Sequence, residues 1–336
     1  MLTRRDVLGG LGGAALVLPD AGHAQGRRPP ASPQLTAFAD AAEALGVGAL
    51  VVANSAQTLL SRGPVDAPSR IASIRKSILS ALFGMAVRDR RIDPGATVAS
   101  LGIDDYTPLT AAEGRATVRQ LLQARSGVYL PTAAETPQMR AQRPARGAHA
   151  PGTRFYYNNW DFNVLGEIYQ RGTGEGLFTA FEHRLARPLG FQDFDALRHT
   201  RWTYDRANPR FPAYDIWLSA RDLARFGSLY LRRGSWNGRQ LISESWVRES
   251  VASYSATGGR GWWSGYGYMW WVAADDSGPP KGTFTAAGNG GRYVVVMPAA
   301  DLVVAIQPGA TEGDTPISLY QDQTRLNGLL QMLVAG

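Results

Sequence analysis

Ser73-Ile-Arg-Lys76 opens a strongly apolar stretch that reads as a helix from Ser73 to Arg88. Residues three apart on a helix share a face, with Cβ atoms about 5–6 Å apart. A serine at the start of a buried helix, with a lysine one turn in, is a hydroxyl beside a base. Burial disfavours the charged form of that lysine and the positive helix N-terminus repels it. A neutral lysine can take the serine proton, and the helix end steadies negative charge developing at the serine. The plainer alternative is an N-cap serine and a lysine reaching for solvent. Residue usage bears on the choice. Of 35 basic residues, two are lysine, Lys76 and Lys281, and the other 33 are arginine. Arginine does not give up its proton, so a lysine kept here points to a proton being exchanged.

A second constellation follows some 80 residues later, in Pro151-Gly-Thr-Arg-Phe-Tyr-Tyr157-Asn-Asn159. A phenol and an amide two residues apart on an extended segment point the same way. The phenol can relay protons and the amide can bind a substrate carbonyl. Tyr156 and Asn158 have the same spacing, so the residues alone leave two pairs open. A capping asparagine and a buried tyrosine are the structural alternative.

Composition narrows the chemistry. The 336 residues are 44% hydrophobic and 19% charged, a globular balance. There are no cysteines, which excludes disulfides, thiolate metal sites and a cysteine nucleophile. The four histidines show no zinc-ligand spacing. No metal or cofactor is therefore expected. A net charge of +7 permits an anionic partner, but no nucleic-acid motif accompanies it. G-x-S-x-G is absent, and Gly288-x-Gly290-Gly291 precedes a strand, unlike a dinucleotide fingerprint.

The elements that must position these residues read as follows. Thr3-Arg4-Arg5, a short apolar run to Leu18 and the small residues of Gly22-His-Ala24 resemble a twin-arginine export signal over residues 1–24. Export to the periplasm or beyond is expected, followed by one domain over 25–336. No later run is long enough to span a bilayer, so no stable membrane insertion is expected. A helix is expected over Pro33–Leu45, then strands Val47–Ala53 and Gln57–Ser61. Helices follow at Thr117–Ala124 and Trp160–Tyr169, and another at Leu223–Leu231 behind a Ser219–Asp222 capping box. Strands are expected at Tyr266–Val272, Gly282–Ala286, Tyr293–Met297 and Leu302–Ile306, then a helix over Ile317–Val334. Strands at both chain ends predict an α/β (α+β) fold with one antiparallel sheet flanked by helices. Residues 25–90 and 250–336 would build it, and 91–249 a mostly helical lobe. Strand alternation would place half of Trp262, Trp263, Tyr266, Tyr268, Trp270 and Trp271 in the core, with others lining a cleft. Arg140, Arg143, Arg146 and His149 read as a surface loop beside that cleft.

Ser73-x-x-Lys76 and Tyr157-x-Asn159 resemble the first two motifs of the penicillin-recognising serine hydrolases. The class C β-lactamase and 6-aminohexanoate-dimer hydrolase branch is the nearest shape. The similarity runs over roughly residues 40–335 and includes Val118–Gly127, Leu218–Gly227, Leu241–Val247 and Gly265–Trp271. The Pro-Gly-Thr lead-in selects Tyr157 and Asn159 over their neighbours. The resemblance implies a β-lactamase/transpeptidase-like fold with the site between the lobes. It also implies a cofactor-free serine hydrolase that forms an acyl-enzyme on Ser73. Lys76 and Tyr157 would move the proton, and Asn159 would meet the substrate. The third family motif, a cation then any residue then glycine, aligns with Ala286-Ala287-Gly288. Its cation is missing, Lys281 lies five residues too early, and Arg292 is the candidate substitute. Gly288 would admit substrate to the strand, and the Asn289 N–H would join that of Ser73 in an oxyanion hole. The implied substrates are small esters, amides or peptide-like molecules. The rival reading is a β-lactam-acylated sensor that does not turn over.

Overall fold

The apolar runs at the two ends of the chain pair with one another. Val47–Ala53 pairs antiparallel with Thr58–Arg62 on one side and with Leu302–Pro308 on the other, in a register that sets Leu50 opposite Ile306. In the computed structural model, residues 32–204, 210–276, 278–309 and 323–334 are described. The export signal read over residues 1–24, and residues 317–322 of the last helix, lie outside them.

The main sheet has eight strands, each antiparallel to its neighbours. From edge to edge they are Thr58–Arg62, Val47–Ala53, Leu302–Pro308, Arg292–Met297, Phe284–Gly288, Trp271–Val272, Gly265–Tyr266 and Ser255–Ala256. Alternation divides the side chains between two cores. Tyr293, Val295 and Met297 join Phe38, Ala42, Leu326 and Leu330 from the helices Pro33–Ala44 and Gln323–Val334. Val294 and Val296 face the other way, toward Ile78, Leu82 and Phe226. The expected mixed architecture, an antiparallel sheet flanked by helices, is what the chain adopts.

The helix Ile74–Arg88 lies in that second core, and every residue from Ile74 to Ala86 is buried. Gly84 lets the Trp246 ring lie against this helix, and a Cβ there would collide with the indole. The Trp246 N–H donates to the Ser80 carbonyl at 2.9 Å. Such a helix gains stability from apolar burial on all sides rather than from one amphipathic face.

Three expectations are corrected. Tyr266–Val272 is not one strand but a tight hairpin, with Tyr266 paired to Trp271 and Met269 at φ +61°. Strand alternation therefore does not apply across it. Trp262, Trp263, Tyr266, Tyr268 and Trp270 are all buried, and Trp271 is half-buried. The helix after Ser219 begins at Ala220 rather than Leu223. Ser219 caps it, while the Asp222 carboxylate accepts from the backbone of Gln192 and Asp193 instead of closing a box. That helix, Ala220–Leu231, packs on the sheet although it falls in the stretch read as the helical lobe: Gly227 lies against Val294 and Val303. Among the described residues, no helix is long and apolar enough to cross a membrane.

Candidate active site

Ser73 is presented by a sharp turn. Ala72, the residue before it, has φ +48°, a left-handed conformation that costs a non-glycine residue about 1–2 kcal/mol. Ser73 then occupies the N-cap position of the helix Ile74–Arg88, but in helical geometry and without a side-chain capping bond. Its hydroxyl is left to Lys76, whose Nζ lies 3.0 Å away. The plain capping role is thus not the one this serine plays. Ser73 is half-buried, so the hydroxyl stays reachable.

Lys76 is 2% exposed, and its Nζ has three oxygen neighbours. They are Ser73 Oγ at 3.0 Å, Tyr157 Oη at 2.6 Å and Asn159 Oδ1 at 2.7 Å. The rings of Tyr157 and Phe162 stand 4.2 and 4.5 Å from it. Among the described residues no carboxylate pairs with it. Burial first, and the neighbouring Arg75 second, push its pKa well below the ordinary lysine value. A neutral amine has two N–H donors and one lone pair. Asn159 Oδ1 can only accept, so it takes one donor. Of the two hydroxyls, Ser73 and Tyr157, one must then donate into the lone pair. In its neutral form Lys76 thus turns its lone pair to the Ser73 or the Tyr157 hydroxyl.

The segment before the helix Asn159–Thr173 brings in the second pair. The Tyr157 ring stacks on Trp271 with centroids 5.4 Å apart and packs against Phe162 and Tyr266. Tyr156 instead turns away and donates its hydroxyl to the Met139 carbonyl at 2.8 Å. Asn158 caps the helix through Trp160 N–H and donates to the Val128 carbonyl. The structure therefore groups Tyr157 and Asn159, not Tyr156 and Asn158, around the lysine. Asn159 is turned inward: its amide donates to the Ala134 carbonyl at 2.7 Å while its oxygen receives Lys76. Its amide is engaged by the protein rather than directed at a substrate carbonyl.

The third motif borders Ser73 from the sheet. Gly288 ends the strand Phe284–Gly288, and a Cβ there would strike the Ile71 carbonyl oxygen. The small residue makes room for the chain itself, not for substrate as read from the sequence. This contact sets the Gly288–Asn289 peptide beside the turn into Ser73. Asn289 is exposed. Arg292 folds back on this turn, donating to the carbonyls of Asn289 at 2.9 Å and Gly290 at 3.4 Å. Burial, then the nearby Arg70, lower its pKa. Its guanidinium supports the turn instead of standing at the empty cation position of Ala286. Lys281 is exposed in the loop before this strand.

Other neighbours escaped the sequence reading. Arg75 is 3% exposed, with its guanidinium 4.9 Å from the Tyr214 ring. A charged residue inside an apolar helix was the available signal. Asp161 is fully buried and accepts from the Ser126 hydroxyl and the Asn158 amide. Burial raises its pKa well above the ordinary value. The arginine loop is partly tied down, by Arg143–Glu135 and Arg146–Glu113 ion pairs and by Tyr129–His149. Among the described residues, no three His, Asp or Glu side chains are grouped to hold a metal ion.

Comparison with known proteins follows this geometry. The Beta-lactamase family model matches residues 35–324. The 6-aminohexanoate-dimer hydrolase of Paenarthrobacter ureafaciens is 26% identical over 277 residues, 73% of this chain and 67% of that protein. A solved β-lactamase from Mycobacterium bovis superposes with a TM-score of 0.60 at 22% identity, covering 88% of this chain and 98% of that one. EstCE1, a hydrolase with promiscuous acyltransferase activity, superposes with a TM-score of 0.62 at 19% identity, covering 89% and 97%. The two structural likenesses establish the fold.

Proposed function

The chain belongs to the Beta-lactamase family and is a serine hydrolase of amide or ester bonds; we propose that it works through an acyl-enzyme on Ser73. The observation that carries the reading is Lys76 Nζ, buried, without a carboxylate partner, and 3.0 Å from Ser73 Oγ. Neutral Lys76 takes the Ser73 proton as Oγ attacks the carbonyl carbon. The Ser73 and Asn289 N–H groups receive the oxyanion, and the Lys76–Tyr157 contact of 2.6 Å carries the proton to the leaving group. In deacylation the Tyr157 oxygen accepts a proton from the attacking water as it passes its own to neutral Lys76, and Lys76 returns that proton to Ser73 Oγ as the acyl group leaves. Asn159 holds the lysine in place. The 6-aminohexanoate-dimer hydrolase supports a small amide as substrate, and EstCE1, a hydrolase with acyltransferase activity, supports passage through an acylated serine.

A time course with a reactive ester tests this. Steady turnover that disappears in Ser73→Ala supports it. A single stoichiometric burst favours instead an acylated sensor without turnover. We further propose that residues 1–24 direct export by the twin-arginine route to the periplasm or medium, leaving residues 25–336 as one hydrolase domain. The support is Thr3-Arg4-Arg5 and the small residues Gly22 and Ala24. Unchanged export yield after Arg4→Lys with Arg5→Lys would refute it.

A further inference from the structure

The segment that delivers Tyr157 also walls a cavity of about 380 Å3. Thr153, Arg154 and Phe155 form one side, and the edge strand Ser255–Ala256 with its flanks forms the other. Arg125 joins the two sides by donating to the Gly152 carbonyl and, at 2.8 Å, to the Tyr254 carbonyl. Its Nε is buried without a hydrogen-bond partner, and so is Ser255 Oγ across the cavity. Arg154 is exposed and, among the described residues, pairs with no carboxylate. No acidic residue lines the cavity.

Phe155 links this cavity to the serine site. Its ring lies 5.1 Å from Tyr266 and 6.3 Å from Trp271, the same two rings that pack on Tyr157. Phe155 lines the cavity two residues before Tyr157, so one short segment of chain serves both. Two guanidinium groups and no acid make an environment for one negative group. Phe155 and Tyr254 offer apolar flanks to the carbons that carry it.

We infer that this cavity is a subsite for a carboxylate on the substrate, recognised by the exposed Arg154 in the positive field of Arg125. The inference rests on the serine hydrolase reading above. Guanidinium–carboxylate pairs are directional and charge-assisted, so a substrate ending in a carboxylate is held in one register relative to Ser73. A free anion such as phosphate shares the chemistry and is separated by the test.

Two measurements decide it. The first is the kcat/KM ratio of a carboxylated to a neutral ester, for two pairs. One pair is the mono-4-nitrophenyl ester of glutaric acid against 4-nitrophenyl butanoate, which places the charge on the acyl side. The other is 3-carboxyphenyl butanoate against phenyl butanoate, which places it on the leaving side. One of these ratios falls roughly tenfold or more in Arg154→Ala, as expected for a charge-assisted contact, and recovers in Arg154→Lys. Ratios that do not respond to Arg154 overturn the inference. The second measurement is calorimetric titration of the full chain with glutarate, which needs no turnover. Binding that weakens in Arg154→Ala supports the subsite, and no binding overturns it. Phosphate binding as tightly as glutarate, with ratios unmoved, assigns the cavity to a free anion and refutes the substrate role. Absence of turnover on the neutral esters counts against the hydrolase reading itself, while the titration still decides the cavity.

Discussion

Arg75 and Lys76 are consecutive residues on one helix, 3% and 2% exposed, and neither forms an ion pair among the described residues. The buried Asp215 carboxylate feels the Arg75 charge, yet two adjacent cations out of water remain a costly arrangement. The molecule relieves it on one side only. The Arg75 guanidinium lies against the Tyr214 ring, whereas Lys76, its pKa pushed down by burial, can shed its proton. Burial and the adjacent Arg75 charge both favour the neutral form of Lys76 beside Ser73.

Lys76→Arg separates charge from basicity. Arginine remains protonated at any working pH, so the variant keeps a cation and loses the acceptor. Labelling of Ser73 by a fluorophosphonate should slow by about 10²–10⁴-fold, the usual worth of general-base assistance. Thermal melts of both proteins establish that the variant is folded. Equal labelling rates would remove Lys76 from the mechanism.

Arg75→Met tests the electrostatic half of the arrangement. With the adjacent charge gone, the ammonium form of Lys76 is less disfavoured and its pKa rises. Acylation needs the neutral amine, so its rate falls as pH drops through that pKa. The acidic limb of the acylation profile should accordingly move to higher pH in Arg75→Met and stay in place in Arg75→Lys. Superimposable profiles for wild type and Arg75→Met would show that burial alone sets the lysine.

The legible part of this site was the part written locally. Ser73 and Lys76 share a helical face at fixed spacing, and strands such as Val47–Ala53 match their apolar pattern residue for residue. What could not be read depends on backbone turns and on distant partners. Met269 at φ +61° folds Tyr266–Val272 into a hairpin, which defeats a period-of-two reading of its aromatic residues. Asn159 was read as facing substrate, but its amide orientation is decided by the Ala134 carbonyl, 25 residues earlier. Gly288 was likewise assigned to substrate access, because the sequence does not reveal that Ile71 passes over it.

Gly288→Ala follows from that contact. The added methyl meets the Ile71 backbone, which cannot rotate away, so either the strand end or the turn into Ser73 must shift. Overpacking of this kind costs about 1–3 kcal/mol, and the melting temperature should fall by several degrees. Activity should fall further than stability accounts for, since the same shift displaces Asn289 from Ser73. Wild-type activity at wild-type melting temperature would mean that neither the contact nor the peptide position matters.

Asp161 makes a prediction about stability and pH. Its carboxyl is fully buried, accepts from Ser126 Oγ and Asn158 Nδ2, and has a pKa raised by burial well above 3.8. Between 3.8 and the raised value, the unfolded chain has released a proton that the folded chain retains. The contribution of Asp161 to stability therefore falls as pH rises through that window and is most favourable below it. Asp161→Asn keeps an oxygen for the same two donors and cannot ionise. The melting temperature of the variant should gain on wild type as pH is raised from about 4, the ordinary aspartate value. Parallel curves would show that Asp161 ionises normally. Asp161→Ala instead leaves the Ser126 hydroxyl proton without its acceptor and leaves the Asn158 amide with the Val128 carbonyl alone, at about 1–3 kcal/mol for a buried group left unpaired. Asn158 caps the helix one residue after Tyr157, so the alanine variant should also lose acylation rate where the asparagine variant does not.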